Sequence, residues 1–179
     1  MKEPLLEHAA AARGPLRPYA LTLVGLDTAA GWTIVALISV MVAVVSVQVL
    51  LRYALNSSLG WADELSRFTF VWSMFLAIPL GIRGGMHIGM EILTSRLTPA
   101  VQNALARLMA ALAAALMVLV TWESARLAWD QWDEKMASME ASAAWFIVAV
   151  AVGCGHSALH LVWIVLTGKP RSMGPVATE

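Results

Sequence analysis

The amino-acid sequence predicts an all-α integral membrane protein with four transmembrane helices and both termini in the cytoplasm. Hydrophobic residues fill 59% of the 179 positions and charged residues only 13%, which is about half the charged fraction of an average soluble domain. A soluble domain of this size could not bury so much apolar surface, so lipid must be the solvent. Four apolar segments, separated by polar stretches, supply the spans.

The first span runs from Trp32 to Leu51, twenty residues without a charge. At about 1.5 Å per residue it covers roughly 30 Å, the thickness of the hydrocarbon core. Arg52 and Tyr53 close it as an interfacial pair. Residues 1–31 are too long and too mixed in composition for a cleavable signal peptide, so we expect the first span to act as an uncleaved signal anchor.

The second span contains charged residues at its start. The uncharged run Phe68–Ile82 covers only about 22 Å and is too short alone. An extension back to Trp61 restores the required length, and it carries Asp63, Glu64 and Arg67 to the edge of the membrane or into it. The second helix is therefore expected to hold polar side chains close to lipid.

The third and fourth helices have clear start signals. Thr98 is a candidate N-cap residue with Pro99 at the first helical position, and Ser142 is a candidate N-cap residue for the last span. The last span stops where Gly168 and Pro170 follow it. The predicted boundaries are 1–31 for an N-terminal tail and helix lead-in, about 32–51, 61–83, 99–128 and 143–167 for the spans of a single transmembrane domain covering 32–167, and 168–179 for a C-terminal tail.

The distribution of lysine and arginine predicts the orientation. With four spans, both termini and the loop between the second and third spans lie on one side of the membrane. The positive-inside rule assigns that side to the cytoplasm because it carries more basic residues. The basic residues on the predicted cytoplasmic side are Lys2, Arg13, Arg17, Arg83, Arg96, Lys169 and Arg171, against Arg52, Arg67, Arg126 and Lys135 on the other side.

The segment Trp61–Arg67 is the strongest functional signal. Asp63 and Arg67 are four residues apart and Glu64 and Arg67 three apart, so these side chains can pair on one helix face. One interpretation is an exposed first turn whose acidic residues suit a helix N-terminus. The favoured interpretation is a polar contact with another protein, because charged residues this close to a span are costly unless they have a role.

Two histidines in the fourth span raise the question of a cofactor. His156 and His160 are four residues apart, a spacing that suits metal or haem ligation. A bis-histidine haem site needs a ligand from an opposing element, and His87 in a glycine-rich loop is the one other candidate near a span. We therefore expect hydrogen bonds within a helix interface, with no metal and no cofactor. A stripe of small residues in the same span predicts close helix packing: Ala149, Gly153 and Ser157.

An acidic, tryptophan-rich segment follows the third span, between residues 122 and 140. It suits an interfacial helix with an aromatic anchor and a solvated acidic face. The alternative is the docking of a soluble protein on the extracytoplasmic side, through Trp129, Asp130, Asp133 and Glu134. The sequence contains no nucleophile with a base at motif spacing and no phosphate-binding glycine loop, so we predict no enzyme activity. The zero net charge gives no electrostatic case for nucleic acid.

Several short motifs occur in a fixed order. They are Arg52-Tyr53, the segment Trp61–Arg67, His87-Ile88, and Arg96-Leu97-Thr98-Pro99. In order and spacing they resemble the small membrane subunit, the DctQ-like Q component, of tripartite ATP-independent periplasmic (TRAP) transporters. The motifs lie between Val47 and Pro99, and the four-span layout extends the resemblance over the whole chain.

The resemblance implies a function that composition does not. Such a subunit is a scaffold in the bacterial inner membrane, partnered by a large membrane subunit that binds substrate and sodium and by a periplasmic substrate-binding protein. The complex takes up an organic acid. By this likeness, Trp61, Glu64 and Arg67 match the family's Trp-x-x-Glu-x-x-Arg region, and His87 matches its His-Ile position. Our hypothesis for the interface with the large subunit comprises six residues: Arg52, Trp61, Asp63, Glu64, Arg67 and His87. The alternative from another class is a haem-binding membrane anchor of a redox enzyme, which would use His87 with His156 or His160.

Overall fold

The computed structural model describes residues 16–57, 59–83 and 98–167. Within these ranges the chain forms four helices: α1 (Arg17–Ala54), α2 (Gly60–Arg83), α3 (Pro99–Asp130) and α4 (Ala144–Thr167). All four are long and apolar enough to cross a membrane. The described residues form no strand beyond one isolated β-bridge. The predicted all-α class with four transmembrane helices is confirmed.

The start of α1 differs from the predicted first span. The helix begins at Arg17, with a proline in its first turn, whereas the span was predicted to begin at Trp32. The additional turns lie in the segment that we assigned to the tail and helix lead-in. These additional turns are helical and packed against the rest of the protein, because they carry a stripe of buried residues with helical spacing. The members of this stripe are Ala20, Leu23, Val24, Asp27 and Ala30.

The other helix starts lie where the capping signals predicted them. The backbone of Thr98 is extended, as expected at an N-cap position, although its side chain makes no capping hydrogen bond. The Ser142 hydroxyl accepts a hydrogen bond of 3.1 Å from the backbone N–H of Ala144, which stabilises the start of α4. Helix α2 includes Trp61 and the charged residues that follow it, so its length matches the extended second span.

Helix α4 is the centre of the arrangement. It packs along both α2 and α3, while α1 packs along α2 and contacts α4 over a shorter stretch. In that stretch the Tyr19 hydroxyl donates a 2.6 Å hydrogen bond to the Leu159 carbonyl, and the Tyr19 ring lies 5.9 Å from that of Trp163. Ten of the 24 residues of α4 are buried. The central part of α1 is instead exposed on most of its circumference.

Helices α2 and α4 approach each other closely at Gly153. A Cβ atom at this position would lie 2.5 Å from the Phe75 carbonyl oxygen and 2.8 Å from the Phe75 Cβ. On the same face of α4, Ala149 is 1% exposed and Ser157 is fully buried. The prediction that these three small residues form a close-packing face is confirmed. In a membrane such contacts matter because lipid tails remove the hydrophobic drive between helices.

Replacement of Gly153 with alanine is expected to destabilise the protein. The new methyl group can be accommodated only if α2 and α4 move apart, and overpacking of this kind costs about 1–3 kcal/mol. The melting temperature of the purified protein in detergent should fall by roughly 2–12 °C. Gly155→Ala is the matched control, because its new Cβ would meet Thr121 at an ordinary 3.5 Å. Equal melting temperatures for the two variants would show that close packing at Gly153 is not required.

Candidate functional site

A cluster of charged and polar side chains is buried where α1, α2 and α4 meet. Asp27 comes from α1, Arg83 is the last residue of α2, and His156 and His160 lie one turn apart on α4. Asp27 is 3% exposed, His156 8% and His160 2%. A group of this kind is rare in an apolar bundle and must be held by specific contacts, since unpaired charges are costly to bury.

The Asp27 carboxylate is the hub of this buried cluster. Its Oδ1 lies 3.1 Å from His156 Nε2 and 2.8 Å from His160 Nε2. Its Oδ2 accepts a hydrogen bond of 3.2 Å from Arg83 Nη1, which also forms a salt bridge. The two oxygens are thus divided between a guanidinium on one side and two imidazoles on the other. An imidazole whose Nε2 carries a proton can donate it to Oδ1, so both carboxylate oxygens have hydrogen-bond donors within reach.

Helical spacing within α1 and α4 explains how these side chains come together. His156 and His160 share a face of α4 because they are four residues apart. Asp27 belongs to the buried stripe of α1, which places its carboxylate against that face. The charges of Asp27 and Arg83 cancel, so the cluster is neutral when both imidazoles are neutral. Removal of a member would leave a buried charge or an unsatisfied polar group.

Sequence reasoning found the histidines of the cluster but not its carboxylate. Asp27 was assigned to a lead-in segment outside the membrane, and Arg83 was counted as a cytoplasmic charge. One signal was available: Asp27 is the single acidic residue between Glu7 and Asp63. It also follows Ala20, Leu23 and Val24 at helical spacing, which would have placed it on a packed face.

The Trp61–Arg67 segment makes contacts with two other parts of the chain. Asp63 Oδ1 accepts a 3.0 Å hydrogen bond from Gln48 Nε2 of α1. The two carboxylate oxygens of Glu64 accept hydrogen bonds from the backbone N–H groups of Ala137, at 2.9 Å, and Ser138, at 2.6 Å. The pairing with Arg67 that the spacing permits is not formed by either carboxylate within the described ranges. Glu64 instead binds the loop between α3 and α4.

That α3–α4 loop, residues 131–143, has a hairpin-like core of its own. Lys135 and Ser142 form an antiparallel bridge. The N–H of Met136 donates to the Ala141 carbonyl at 2.9 Å, and the N–H of Ala143 donates to the Glu134 carbonyl at 2.8 Å. The Met136 side chain is buried at 8% exposure, which fixes the loop against the helices. The Glu64 clamp, by which we mean the hydrogen bonds of Glu64 with Ala137 and Ser138, therefore holds a loop that is already partly ordered by its own backbone.

Aromatic contacts support the base of the loop. The ring of Trp132 lies 5.8 Å from that of Trp145 at the start of α4, and Trp145 lies 6.4 Å from Trp72 of α2. Trp129, in contrast to these tryptophans in ring contact, is 82% exposed. The acidic residues proposed for docking are also exposed: Asp130, Asp133 and Glu134.

The structure brings the two sequence-predicted sites close together through Glu64, which lies in one site and binds the α3–α4 loop. This loop holds Asp133 and Glu134 of the other site, and Trp129 and Asp130 are the last residues of α3 before it. Arg52, Trp61 and Arg67 are exposed at the same end of the bundle, where α1 ends and α2 begins. His87 lies outside the described residues. The structure therefore places Glu64 and the acidic loop on one surface at this end of the bundle, and the cluster around Asp27 is a separate buried site.

The fold and the two polar sites define a small multi-pass membrane protein whose polar groups hold its own helices and loop in place. The family model of the tripartite ATP-independent periplasmic transporters, DctQ component, matches residues 41–168. The chain belongs to this family and is the small membrane component of a TRAP transporter, as the motif resemblance predicted. A search of curated proteins finds no match.

Family membership bears on the predicted absence of enzyme activity and on the haem alternative. The DctQ component is a family of transporter components and not an enzyme family. The geometry also gives the haem anchor little support, because His156 and His160 both direct Nε2 at the Asp27 carboxylate. The matched region begins downstream of Asp27, so the family model does not cover one member of the buried cluster.

Proposed function

We propose that this chain is the scaffold subunit of a TRAP-type secondary transporter in the bacterial inner membrane, with both termini in the cytoplasm. It partners a large permease subunit for sodium-coupled uptake of an organic acid, which a periplasmic substrate-binding protein delivers. The observation that carries this proposal is the family match over residues 41–168. The DctQ component is named as part of a tripartite system, so the proposal requires two further components.

The exposed face of α1 supports a membrane partner. The most apolar window of this helix has no buried residue, and large side chains recur along it at helical spacing, including Val35, Val42 and Val49. Lipid can cover such a face, and so can a helix of the large subunit. The adjacent polar end favours a protein partner, because Arg67 is exposed and forms no salt bridge within the described ranges. We assign the interface to this end, with Arg52, Trp61, Asp63, Glu64 and Arg67. His87, which lies outside the described residues, is proposed as a further interface residue on the family resemblance alone.

The loop between α3 and α4 supports the periplasmic partner. Between residues 122 and 140 the chain has five acidic residues and two basic residues. The acidic side chains are exposed beside an exposed Trp129. A negative surface with an aromatic side chain suits a basic patch on a soluble protein, which it would also attract over a distance. We propose that Trp129, Asp130, Asp133 and Glu134 contact the substrate-binding protein.

Co-purification tests the assembly. A tagged chain, expressed with the large subunit of its transporter, should carry that subunit through detergent extraction and size exclusion. Arg67→Ala should reduce the association constant roughly fivefold, because a polar contact in a membrane contributes about 1 kcal/mol. Arg126→Ala is the matched control, since Arg126 is an exposed arginine on α3 outside the proposed interface. A thermally robust monomer that binds no large subunit would contradict the proposal, and a haem absorption band would favour the redox anchor.

A further inference from the structure

The buried cluster holds three potential metal ligands from two helices. One ligand atom from each of Asp27, His156 and His160 lies within 4.8 Å of the others. We propose that this site binds a transition-metal ion of the zinc type, which would join α1 to α4. The sequence predicted no metal, because both histidines lie on one helix and the third ligand was not recognised. The proposal concerns this chain alone and does not depend on the proposed transport function.

The distances suit a zinc ion. Two ligand atoms on a tetrahedral zinc with bonds of about 2.0–2.2 Å lie roughly 3.3 Å apart. The Nε2 atoms of His156 and His160 lie 3.1 Å and 2.8 Å from Asp27 Oδ1. Against that spacing, Nε2 of His156 would move away from Oδ1 by about 0.2 Å and Nε2 of His160 by about 0.5 Å. The three ligand atoms already lie within 4.8 Å of one another. Each imidazole would ligate the ion as the neutral tautomer that carries its proton on Nδ1, which leaves the Nε2 lone pair free for the metal.

The type of ligand narrows the identity of the ion. Imidazole nitrogens suit zinc, copper, iron and nickel, whereas calcium and magnesium prefer sites made of oxygen ligands. Two imidazoles and one carboxylate form a common three-ligand set that leaves a coordination position for water or an anion. Zinc is therefore the appropriate probe ion.

Arg83 has the position of a supporting group around a metal ligand. Metal-binding carboxylates are usually held by hydrogen bonds from groups that do not touch the metal. Arg83 Nη1 binds Asp27 Oδ2 at 3.2 Å, which leaves Oδ1 to face the two histidines. The buried Nε of Arg83 has no acceptor among the described residues. It offers a donor beside the site for an anionic fourth ligand.

Charge limits the strength of the site. Without metal, one carboxylate and one guanidinium cancel, and the cluster has no net charge when both imidazoles are neutral. A divalent ion adds two positive charges in apolar surroundings, and an anion in the fourth position would offset one of them. The affinity is therefore expected to be lower than that of zinc sites built from several thiolates, in which the ligands themselves balance the ion.

Metal analysis of the purified chain tests the proposal. The chain is prepared with a histidine-free tag, stripped with a chelator, incubated with Zn²⁺ and desalted. Elemental analysis should then find about one zinc per chain. His156→Ala and His160→Ala should each reduce the zinc content at least tenfold, and His8→Ala, a histidine outside the cluster, should not. Zinc that remains in both cluster variants would identify an adventitious ion and overturn the proposal.

X-ray absorption on the wild-type protein gives a second measurement that requires no variant. The spectrum should show nitrogen and oxygen ligands at about 2.0–2.2 Å, with the outer-shell scattering of two imidazoles. Absence of imidazole scattering would overturn the proposal even if the histidine variants fail to fold. Arg83→Met provides a further distinction, because this variant removes the ion pair but none of the three ligands. It should bind zinc more weakly, because Asp27 loses its supporting hydrogen bond, but at saturating zinc through the same two imidazoles. Zinc bound to this variant without imidazole scattering would overturn the proposal.

Discussion

Replacement of Asp27 with alanine is expected to reduce the stability of the protein severely. The substitution leaves the Arg83 guanidinium without its carboxylate and removes the acceptor shared by two buried imidazoles. Loss of one member of a buried ion pair costs about 3–5 kcal/mol in soluble proteins, and polar contacts in membranes are often weaker. Thermal unfolding in detergent with a chelator measures the effect on the metal-free chain. Asp130→Ala, which removes an exposed carboxylate, should leave the melting temperature unchanged.

A double variant separates the ion pair from general damage at this site. When Arg83→Met accompanies Asp27→Ala, no buried charge remains, and apolar replacement of a buried pair is often nearly neutral. The double variant should therefore be more stable than Asp27→Ala alone. If the two substitutions instead lower stability additively, the pairing of Asp27 with Arg83 makes no contribution beyond packing.

The sequence predicted the four helices well because lipid imposes a strong rule on composition. A span must be long and apolar, and three of the four helix starts follow from that rule together with N-cap and proline signals. The start of α1 did not follow. Hydropathy measures transfer into lipid, whereas the turns between Arg17 and Trp32 are held by packing against α4, through contacts such as that of Tyr19 with Leu159. Hydropathy contains no information on such a contact.

The candidate sites were predicted only in part, for a related reason. Spacing along one helix shows which side chains can meet on that helix, and it suggested that Glu64 pairs with Arg67. The structure instead joins Glu64 to Ala137 and Ser138, more than seventy residues away in sequence. Asp27 and His160 are separated by an even longer stretch of sequence, 133 residues. A pairing between distant elements depends on helix order, which a single sequence does not contain.

The order of the helices explains why α4 serves two purposes. Its small residues, including Gly153 and Ser157, allow α2 to approach closely. His156 and His160 point away from lipid toward Asp27 of α1. Asp27 is bound to His156 and His160 of α4, whereas Arg83 belongs to α2. Movement of α2 against α4 would therefore also shift Arg83 relative to Asp27. We therefore expect the packing face and the buried cluster to respond to the same perturbations.

The last prediction concerns the clamp between Glu64 and the α3–α4 loop. Glu64→Ala removes the acceptor of two backbone N–H groups, and hydrogen bonds to a charged group contribute about 1.5–3 kcal/mol each. Glu64 is half-buried, so water will offset part of this loss. We expect the amide hydrogens of Ala137 and Ser138 to exchange roughly tenfold faster, which corresponds to about 1.4 kcal/mol of local stability. Uptake in vesicles should fall several-fold, because the loop would no longer present its acidic face in one position.

The matched controls for this clamp are a neighbouring acid and a conservative change. Asp63→Ala removes a carboxylate one residue away that binds Gln48 and not the loop, so it should leave exchange at Ala137 unchanged. Glu64→Gln keeps one carbonyl acceptor and should give an intermediate rate. Uptake must be normalised to the amount of assembled complex, so that an effect on the loop is distinguished from a loss of assembly. Wild-type exchange and uptake in Glu64→Ala would show that the clamp has no role, and the segment would then be an exposed helix start.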